Sequence, residues 1–137
     1  MMKKINYKDL VKRYYEELWN KQNRDMIDVV FDDEITFRGS LNIEVKGKKE
    51  LKDYMDNILN GIPNLYHGIE TIIEEDGVVA VRAVYNGTHR GKLFDIEPTN
   101  RRIKYNGASF FKFKGDKICD VWVLGDLVTL KDQITQK

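Results

Sequence analysis

The hydrophobic period of this chain changes near residue 65, and that change restricts the possible folds more than any other feature. Upstream of it, apolar residues recur every three or four positions, as they do on one face of an α-helix. Downstream, long runs of strand-forming residues are separated by short polar breaks. Helices gathered at one end and antiparallel strands at the other are typical of the α+β class. The pattern therefore predicts helices packed on one face of an antiparallel sheet.

Three helices are predicted before the change of period. The first covers residues 7–19, whose apolar positions follow the spacing i, i+3, i+4 and i+7, and Asn6 can cap its start. The second covers residues 25–30. The third has helical spacing over residues 51–59 and ends at Asn60-Gly61, before Pro63. Two short strand-like segments precede the third helix, at residues 35–37 and 41–45.

Four longer strands are predicted after the change, at residues 66–75, 78–89, 102–114 and 117–124. The dipeptides Asp76-Gly77 and Gly115-Asp116 are typical of tight hairpins. Gly87 and Gly107 lie inside predicted strands, where glycine permits bulges and bending. A bent sheet wrapped over helices encloses a cavity. The length of 137 residues suits one domain, residues 1–137, with one core.

Charge and cysteine content exclude several classes of function. The 23 basic and 22 acidic side chains give a net charge of +1, too little to steer nucleic acid or an anionic membrane. Cys119 is the single cysteine, so an intramolecular disulfide is impossible. The start of the chain has no apolar signal region, and no stretch is as long as a membrane span. We therefore expect a cytoplasmic protein without nucleic-acid or membrane partners.

Common cofactor and metal motifs are missing from the sequence. His67 and His89 do not form a metalloprotease motif, and no Cys/His cluster accompanies them. No glycine-rich phosphate loop occurs, and Ser40 and Ser109 lack the context of a hydrolase nucleophile. We therefore expect neither a metal nor a cofactor.

The second half of the chain contains an ordered series of residues: GTHRG at 87–91, Pro98-Thr99, Gly107, Trp122 and Asp126. Together with YYEELWN near the start, this series resembles the SnoaL-like polyketide cyclases of the nuclear transport factor 2 (NTF2-like) superfamily. The resemblance covers nearly the whole chain. It implies a cone-shaped fold in which three N-terminal helices pack on a curved antiparallel or mixed sheet.

The resemblance also has departures. This chain has Asn100 after Pro98-Thr99 where the family often has glycine, and Phe37-Arg38-Gly39-Ser40 where relatives often have a histidine or asparagine. The second departure alters a position that could touch substrate. The substrate of the family therefore does not transfer to this chain.

The resemblance implies a catalytic role for Asp126. In the family, the aspartate at this position is the general acid/base of an intramolecular aldol condensation. Strand alternation groups Ile118, Trp122 and Asp126 on one side, so Asp126 would lie at the cavity mouth if Trp122 faced inward. The alternative is that Asp126 caps a helix that begins at Leu127, which would lower its pKa and weaken it as a base.

His89 belongs to the same resemblance and also has two interpretations. It could donate a hydrogen bond to a substrate carbonyl or act as a second acid/base, or it could hold the loop near Pro98-Thr99 closed. Phe94 lies in the loop of residues 91–100 and can act as a lid. The aromatic residues expected to bind substrate, with core packing as the alternative for each, are Tyr15, Trp19, Phe37, Tyr85, Phe94, Tyr105 and Trp122.

The function implied by the resemblance is cofactor-free acid/base chemistry on a hydrophobic carbonyl compound. Proton removal α to the carbonyl would lead to aldol-type cyclisation or isomerisation. One alternative is a non-catalytic small-molecule-binding or assembly module on the same fold. Another is a hydrolase or dehydratase that activates a water molecule.

Two observations would discriminate the enzyme from the module. A buried Asp126, open to the cavity and free of backbone N–H partners, would favour the enzyme. A cavity filled by Trp19, Phe37 and Trp122 would favour the module. On the outer sheet face, an apolar patch predicts a homodimer formed by sheet-face packing; its residues are Val78, Val84, Ala108 and Phe110.

Overall fold

The computed structural model describes residues 6–136. Within that range it contains four α-helices, one π-helical segment and six strands. In chain order these are α1 (Tyr7–Arg13), the π-helical segment (Tyr14–Asn20), α2 (Met26–Val30), β1 (Phe31–Arg38), β2 (Glu44–Lys46), α3 (Gly47–Gly61), β3 (Tyr66–Glu75), β4 (Val78–Thr88), β5 (Arg102–Lys114), β6 (Lys117–Gly125) and α4 (Leu127–Thr135).

The six strands form one mixed sheet in the order β2-β1-β6-β5-β4-β3. All neighbours are antiparallel except β1 and β6, which run parallel. The β3–β4 hairpin turns at Asp76 and Gly77, whose φ angles of 51° and 76° suit a tight hairpin. The helices α1 to α3 precede the long strands, so the predicted α+β arrangement is confirmed. Of the two sheet types left open, antiparallel or mixed, the sheet is mixed, because β1 and β6 are parallel.

The first helix is not α-helical throughout, contrary to the prediction. After Arg13 the backbone widens into the π-helical segment, and the N–H of Lys21 bonds to the carbonyl of Glu16, five residues earlier, at 3.1 Å. The widened turn buries the side chains of Tyr14, Tyr15, Leu18 and Trp19 against the sheet. π-helical turns are frequently found at functional sites.

The strand predicted at residues 41–45 is shorter and later than expected. The N–H of Asn42 bonds to the carbonyl of Gly39 at 3.0 Å, and Asn42 has a φ of 63°. This turn ends β1 and delays β2 to Glu44–Lys46. The turn also brings Ser40 and Leu41 beside the phenol of Tyr54, at the middle of α3.

A β-bulge in β6 changes which side chains face inward. Lys112 pairs with Asp120 and Phe113 pairs with Ile118, so Cys119 is an extra residue in β6. Because the bulge shifts the alternation, Ile118, Val121 and Val123 all lie in the core. Trp122 faces outward and is 40% exposed. The predicted grouping of Ile118 with Trp122 is therefore wrong, and Trp122 does not line the interior.

Candidate functional site

Five tyrosines are buried between the helices and the concave face of the sheet. They come from the π-helical segment, α3, β4 and β5, and they are Tyr14, Tyr15, Tyr54, Tyr85 and Tyr105. Burial raises the pKa of every one of them, to about 12 for Tyr54 and Tyr85. The phenols therefore keep their protons at neutral pH and act as hydrogen-bond donors rather than bases.

Two of these phenols lie in space that glycine leaves free. A Cβ atom on Gly107 would lie 2.3 Å from the Tyr85 ring, and one on Gly39 would lie 1.9 Å from the hydroxyl oxygen of Tyr54. Two other phenols are held by serines: Tyr15 donates to Ser109 Oγ at 3.0 Å, and Tyr105 lies 3.2 Å from the hydroxyl of Ser40. The sequence thus positions each ring individually.

His67 lies among these aromatic rings. Its ring centroid is 5.0 Å from that of Trp19, 4.7 Å from that of Tyr85 and 5.6 Å from that of Tyr15. Burial lowers the pKa of His67 to about 3, so the imidazole is neutral at physiological pH. Among the described residues, the buried Nδ1 of His67 has no hydrogen-bond partner. The buried Nε1 of Trp19 has none of good geometry, although the Tyr14 phenol is close enough for its contact with Trp19 to lower the pKa of that phenol. Such groups are rare in folded proteins and call for an explanation.

A small interior cavity is lined in part by the Trp19 and His67 side chains that carry these nitrogens. Its volume is about 20 Å³, enough for one water molecule or one ligand oxygen atom. Its wall includes Trp19, His67, Tyr85, Phe37, Tyr54 and Ile58.

A larger pocket opens at the wide end of the cone. Its volume is about 490 Å³, and it lies between the β1–β2 connection, α3 and the loop of residues 91–100. We call it the mouth pocket; its apolar wall includes Leu41, Ile43, Val45, Ile58, Leu93 and Phe94. Tyr54 and Ile58 border both the mouth pocket and the interior cavity, so these two side chains separate the two spaces.

Polar groups surround the mouth pocket. Three carboxylates line it: Glu50, Asp53 and Asp95. Glu50 accepts the backbone N–H of Lys46 at 3.1 Å and so caps the start of α3. Phe94 has a φ of 51°, and its ring lies 4.7 Å from Nζ of Lys131. The loop thus has a fixed position against α4.

A comparison with protein families identifies the family of this chain. The model of the SnoaL-like polyketide cyclase family matches residues 9–134. The chain belongs to the SnoaL-like polyketide cyclase family. The resemblance inferred from the sequence is thereby confirmed. No curated protein matches this SnoaL-like chain.

Solved structures share the fold of this SnoaL-like protein. A candidate SnoaL-like polyketide cyclase from Jannaschia sp. CCS1 has a TM-score of 0.89 and 18% identity, over 100% of this chain and 98% of that one. A candidate polyketide cyclase from Acidithiobacillus ferrooxidans has a TM-score of 0.85 and 18% identity, over 99% of each chain. AclR, a candidate hydroxylase from Streptomyces galilaeus, has a TM-score of 0.81 and 22% identity, over 95% of this chain and 81% of that one. These likenesses confirm the cone-shaped NTF2-like fold.

Asp126 of the SnoaL-like protein is exposed and lies at the start of α4. Its carboxylate accepts the hydroxyl of Thr129 at 2.6 Å and the backbone N–H of Thr129 at 3.1 Å. These two bonds, the hydroxyl first, lower the pKa of Asp126. The capping alternative is confirmed. A buried carboxylate free of backbone N–H partners would have favoured the catalytic alternative. Asp126 is exposed and accepts a backbone N–H, so its surroundings favour the role of a helix cap.

His89 is fully buried and ties β4 to the loop of residues 91–100. Its Nδ1 lies 3.0 Å from Thr99 Oγ1 and accepts the Thr99 N–H at 3.3 Å. Backbone bonds to Asn100 and Arg101 reinforce the contact. The loop-holding alternative is therefore confirmed. His89 lines neither the interior cavity nor the mouth pocket.

The aromatic candidates separate into three groups. The residues that line the interior cavity are Tyr15, Trp19, Phe37 and Tyr85. Phe94 lines the mouth pocket, and Tyr105 packs on Tyr85 at 5.0 Å. Trp122 lies on the outer sheet face, because of the bulge in β6, and its predicted place in the cavity is corrected.

Sequence reasoning considered His67 only as a metal ligand and missed it as a site residue. Its position opposite Tyr85 depends on a β-bulge between Ile69 and Thr71, so no local sequence signal identified it. Among residues 6–136, no group of three or more His, Cys, Asp or Glu side chains could hold a metal ion. No helix in the same range is long and apolar enough to cross a membrane.

Proposed function

We propose that this SnoaL-like protein binds a small hydrophobic carbonyl compound in the mouth pocket. The observation that carries the proposal is the pocket itself: about 490 Å³ of mostly apolar space with a few polar groups at its edge. These are the size and lining expected of a small-molecule site. The inner wall is formed by Tyr54, whose phenol remains protonated because burial raises its pKa to about 12.

The chemistry that we propose is proton removal α to the carbonyl, leading to ring closure or isomerisation without a cofactor. Such a step needs an ionised base beside the pocket. Asp53 is our candidate, because it lies on α3 at the exposed edge of the pocket and takes part in none of the hydrogen bonds found among the described residues. Glu50 already caps α3, Asp95 lies on a loop rather than on a helix, and Asp126 is not among the residues that line the pocket.

The proposal is tested by hydrogen exchange on a simple bicyclic ketone, 2-tetralone, in D₂O. Loss of its α-proton signals in ¹H NMR measures proton abstraction directly. We expect the wild type to accelerate exchange above buffer. Asp53→Asn should reduce the protein-dependent rate by about 10²–10⁴-fold, the usual contribution of a general base. Asp126→Asn is the matched control and should retain the wild-type rate.

The second candidate function is a binding module without catalysis. The observation that favours it is the interior, where Trp19, Phe37 and Tyr54 leave only about 20 Å³. Binding of 2-tetralone without any accelerated exchange would support the module and reject the enzyme. Equal exchange rates in the wild type and Asp53→Asn would reject the base assignment.

We also propose that the protein is a homodimer joined through the outer sheet face. Phe110 and Trp122 lie 6.0 Å apart there, and Leu124 beside them is also exposed. The guanidinium of Arg38 covers the Trp122 ring at 4.9 Å. A cluster of exposed apolar side chains on one sheet face is a feature of partner surfaces.

A further inference from the structure

We propose that the interior cavity is an oxygen subsite, in which Trp19 Nε1–H and the His67 imidazole receive one uncharged oxygen atom of the ligand. This inference rests on the proposed function, because the mouth pocket must hold the apolar remainder of that ligand. It goes beyond the proposed function by naming the part of the ligand that enters the interior, the groups that bind it and the charge that they accept.

The two nitrogens supply the first argument. Among the described residues, Nδ1 of His67 is buried without a partner and Nε1 of Trp19 is buried with only a poorly aligned contact to the Tyr14 phenol. Leaving a buried polar group without a well-formed hydrogen bond destabilises the fold. An indole N–H can only donate, and a neutral imidazole has one donor and one acceptor. A carbonyl oxygen satisfies donors from both residues, and a hydroxyl group satisfies a donor on Trp19 and an acceptor on His67.

The size of the cavity supplies the second argument. About 20 Å³ admits one oxygen atom and excludes a ring or a branched group. The mouth pocket is more than large enough for a bicyclic body. Tyr54 and Ile58, one turn apart on α3, are the side chains that separate the two spaces. A ligand whose oxygen projects from an apolar ring system therefore fits the two spaces together once the Tyr54 ring moves aside.

The electrostatics of the wall supply the third argument. No lysine or arginine is among the described residues that line the interior cavity. The imidazole of His67 stays neutral, because burial lowers its pKa to about 3. A carboxylate would therefore be desolvated without a compensating charge. The subsite selects an aldehyde, ketone or alcohol over a carboxylic acid.

The subsite is held in place before any ligand arrives. Asn20 follows Trp19 at the end of the π-helical segment, and its side-chain amide donates to the carbonyl of His67 at 3.0 Å. The backbone N–H of His67 donates back to the Asn20 side chain at 2.7 Å. This pair of bonds fixes the segment that carries Trp19 to the strand that carries His67. Donors fixed in this way need no reorganisation when they bind an oxygen.

The test compares three probes of nearly the same shape: 2-tetralone, tetralin and 1,2,3,4-tetrahydro-2-naphthoate. The first carries a ketone, the second no oxygen and the third a carboxylate. The readout is the indole N–H signal in ¹H–¹⁵N NMR. The chain has two tryptophans, so Trp122 on the outer face is an internal control. Trp122→Phe assigns the two signals without altering the interior.

We expect 2-tetralone to move the Trp19 signal and leave that of Trp122 unchanged, while tetralin binds without moving either. Trp19→Phe should weaken 2-tetralone binding about five- to tenfold, the effect of losing one hydrogen bond, and leave tetralin binding unchanged. If that variant does not fold, the comparison of the wild-type Trp19 signal with 2-tetralone and with tetralin still tests the proposal. His67→Gln, which keeps a donor and an acceptor, should retain part of the preference for 2-tetralone.

The other outcomes separate the two proposals. If 2-tetralone and tetralin bind equally and the Trp19 signal stays in place, a retained water molecule occupies the cavity; the oxygen subsite is then refuted and mouth-pocket binding survives. If the carboxylate moves the Trp19 signal as strongly as the ketone, the selection for an uncharged oxygen is refuted. If no probe binds, the proposed function fails and the subsite fails with it.

Discussion

The contact between Gly39 and Tyr54 yields a sharp prediction about stability. Adding a single methyl group through Gly39→Ala would place Cβ 1.9 Å from Oη and 2.1 Å from Cζ of Tyr54, where ordinary contact begins at about 3.4 Å. Tyr54 is buried and packs on Phe37 with ring centroids 5.2 Å apart, so its ring must leave this position and lose that packing to admit the methyl group. The backbone at Gly39 does not have a positive φ, so the cost comes from the ring and not from the peptide.

Overpacking of this kind costs about 1–3 kcal/mol. Because a whole ring must move, we expect Gly39→Ala to lower the free energy of unfolding by about 3 kcal/mol. This loss should lower the melting temperature of a domain of this size by roughly 10 °C. In a Tyr54→Leu background the obstructing phenol is gone. There, Gly39→Ala should be neutral or stabilise by up to about 1 kcal/mol, since alanine reduces the entropy of the unfolded chain.

The four proteins of this double-mutant cycle are compared by urea denaturation, with circular dichroism as the signal. The coupling between the two sites should reach about 2 kcal/mol or more, well above the usual error of additivity. Equal destabilisation by Gly39→Ala in both backgrounds would show that the ring does not rest on Gly39. The boundary between the mouth pocket and the interior cavity would then need another description.

Further outcomes follow from other sites. His67 has a folded pKa of about 3, below the ordinary value of about 6.5, so its contribution to stability is complete above pH 6.5 and declines toward pH 3. His67→Gln should therefore flatten the stability profile between pH 6.5 and 4, by up to about 1.4 kcal/mol per pH unit, and an unchanged slope would contradict the assignment. Asp126→Asn should melt near the wild type and Asp126→Ala clearly lower, because asparagine also caps helices; equal melting temperatures would argue against the cap. Phe110→Lys and Trp122→Lys should convert the proposed dimer to a monomer, as measured by light scattering. A wild-type protein that is monomeric at micromolar concentration would refute the proposed dimer.

The strands and the fold were accessible from the sequence because their signals are long. The predictions for residues 66–75 and 102–114 match β3 and β5, since ten or more alternating residues and a hairpin dipeptide outweigh local exceptions. The resemblance to the family predicted the cone topology but left open whether the sheet is antiparallel or mixed. The π-helical segment was missed, because Tyr14 to Trp19 have apolar spacing that suits an α-helix equally well.

The site was less accessible because it depends on contacts between distant residues. A one-residue bulge at Cys119 leaves the sequence pattern of β6 nearly unchanged, yet it decides the direction of Trp122. The environment of His67 depends on its register opposite Tyr85 and on the helical residue Trp19 that covers it. The volume of the interior depends on where the Tyr54 ring rests. None of these has a signature within a short window of sequence.

The parallel pairing of β1 with β6 has a consequence for the order in which the chain folds. Phe31 pairs with Ile118 and Arg38 with Trp122, so the partner of β1 leaves the ribosome more than eighty residues later. The antiparallel strands β3 to β6 can pair through short turns, but closing the long loop to β1 carries a larger entropic cost. The apolar surface of the nascent N-terminal third that β6 covers therefore stays exposed until β6 is synthesised. At this stage the chain can bind chaperones or aggregate. Truncation before residue 117 should leave β1 paired only with the short strand β2 and yield a chain that binds chaperones or aggregates instead of folding.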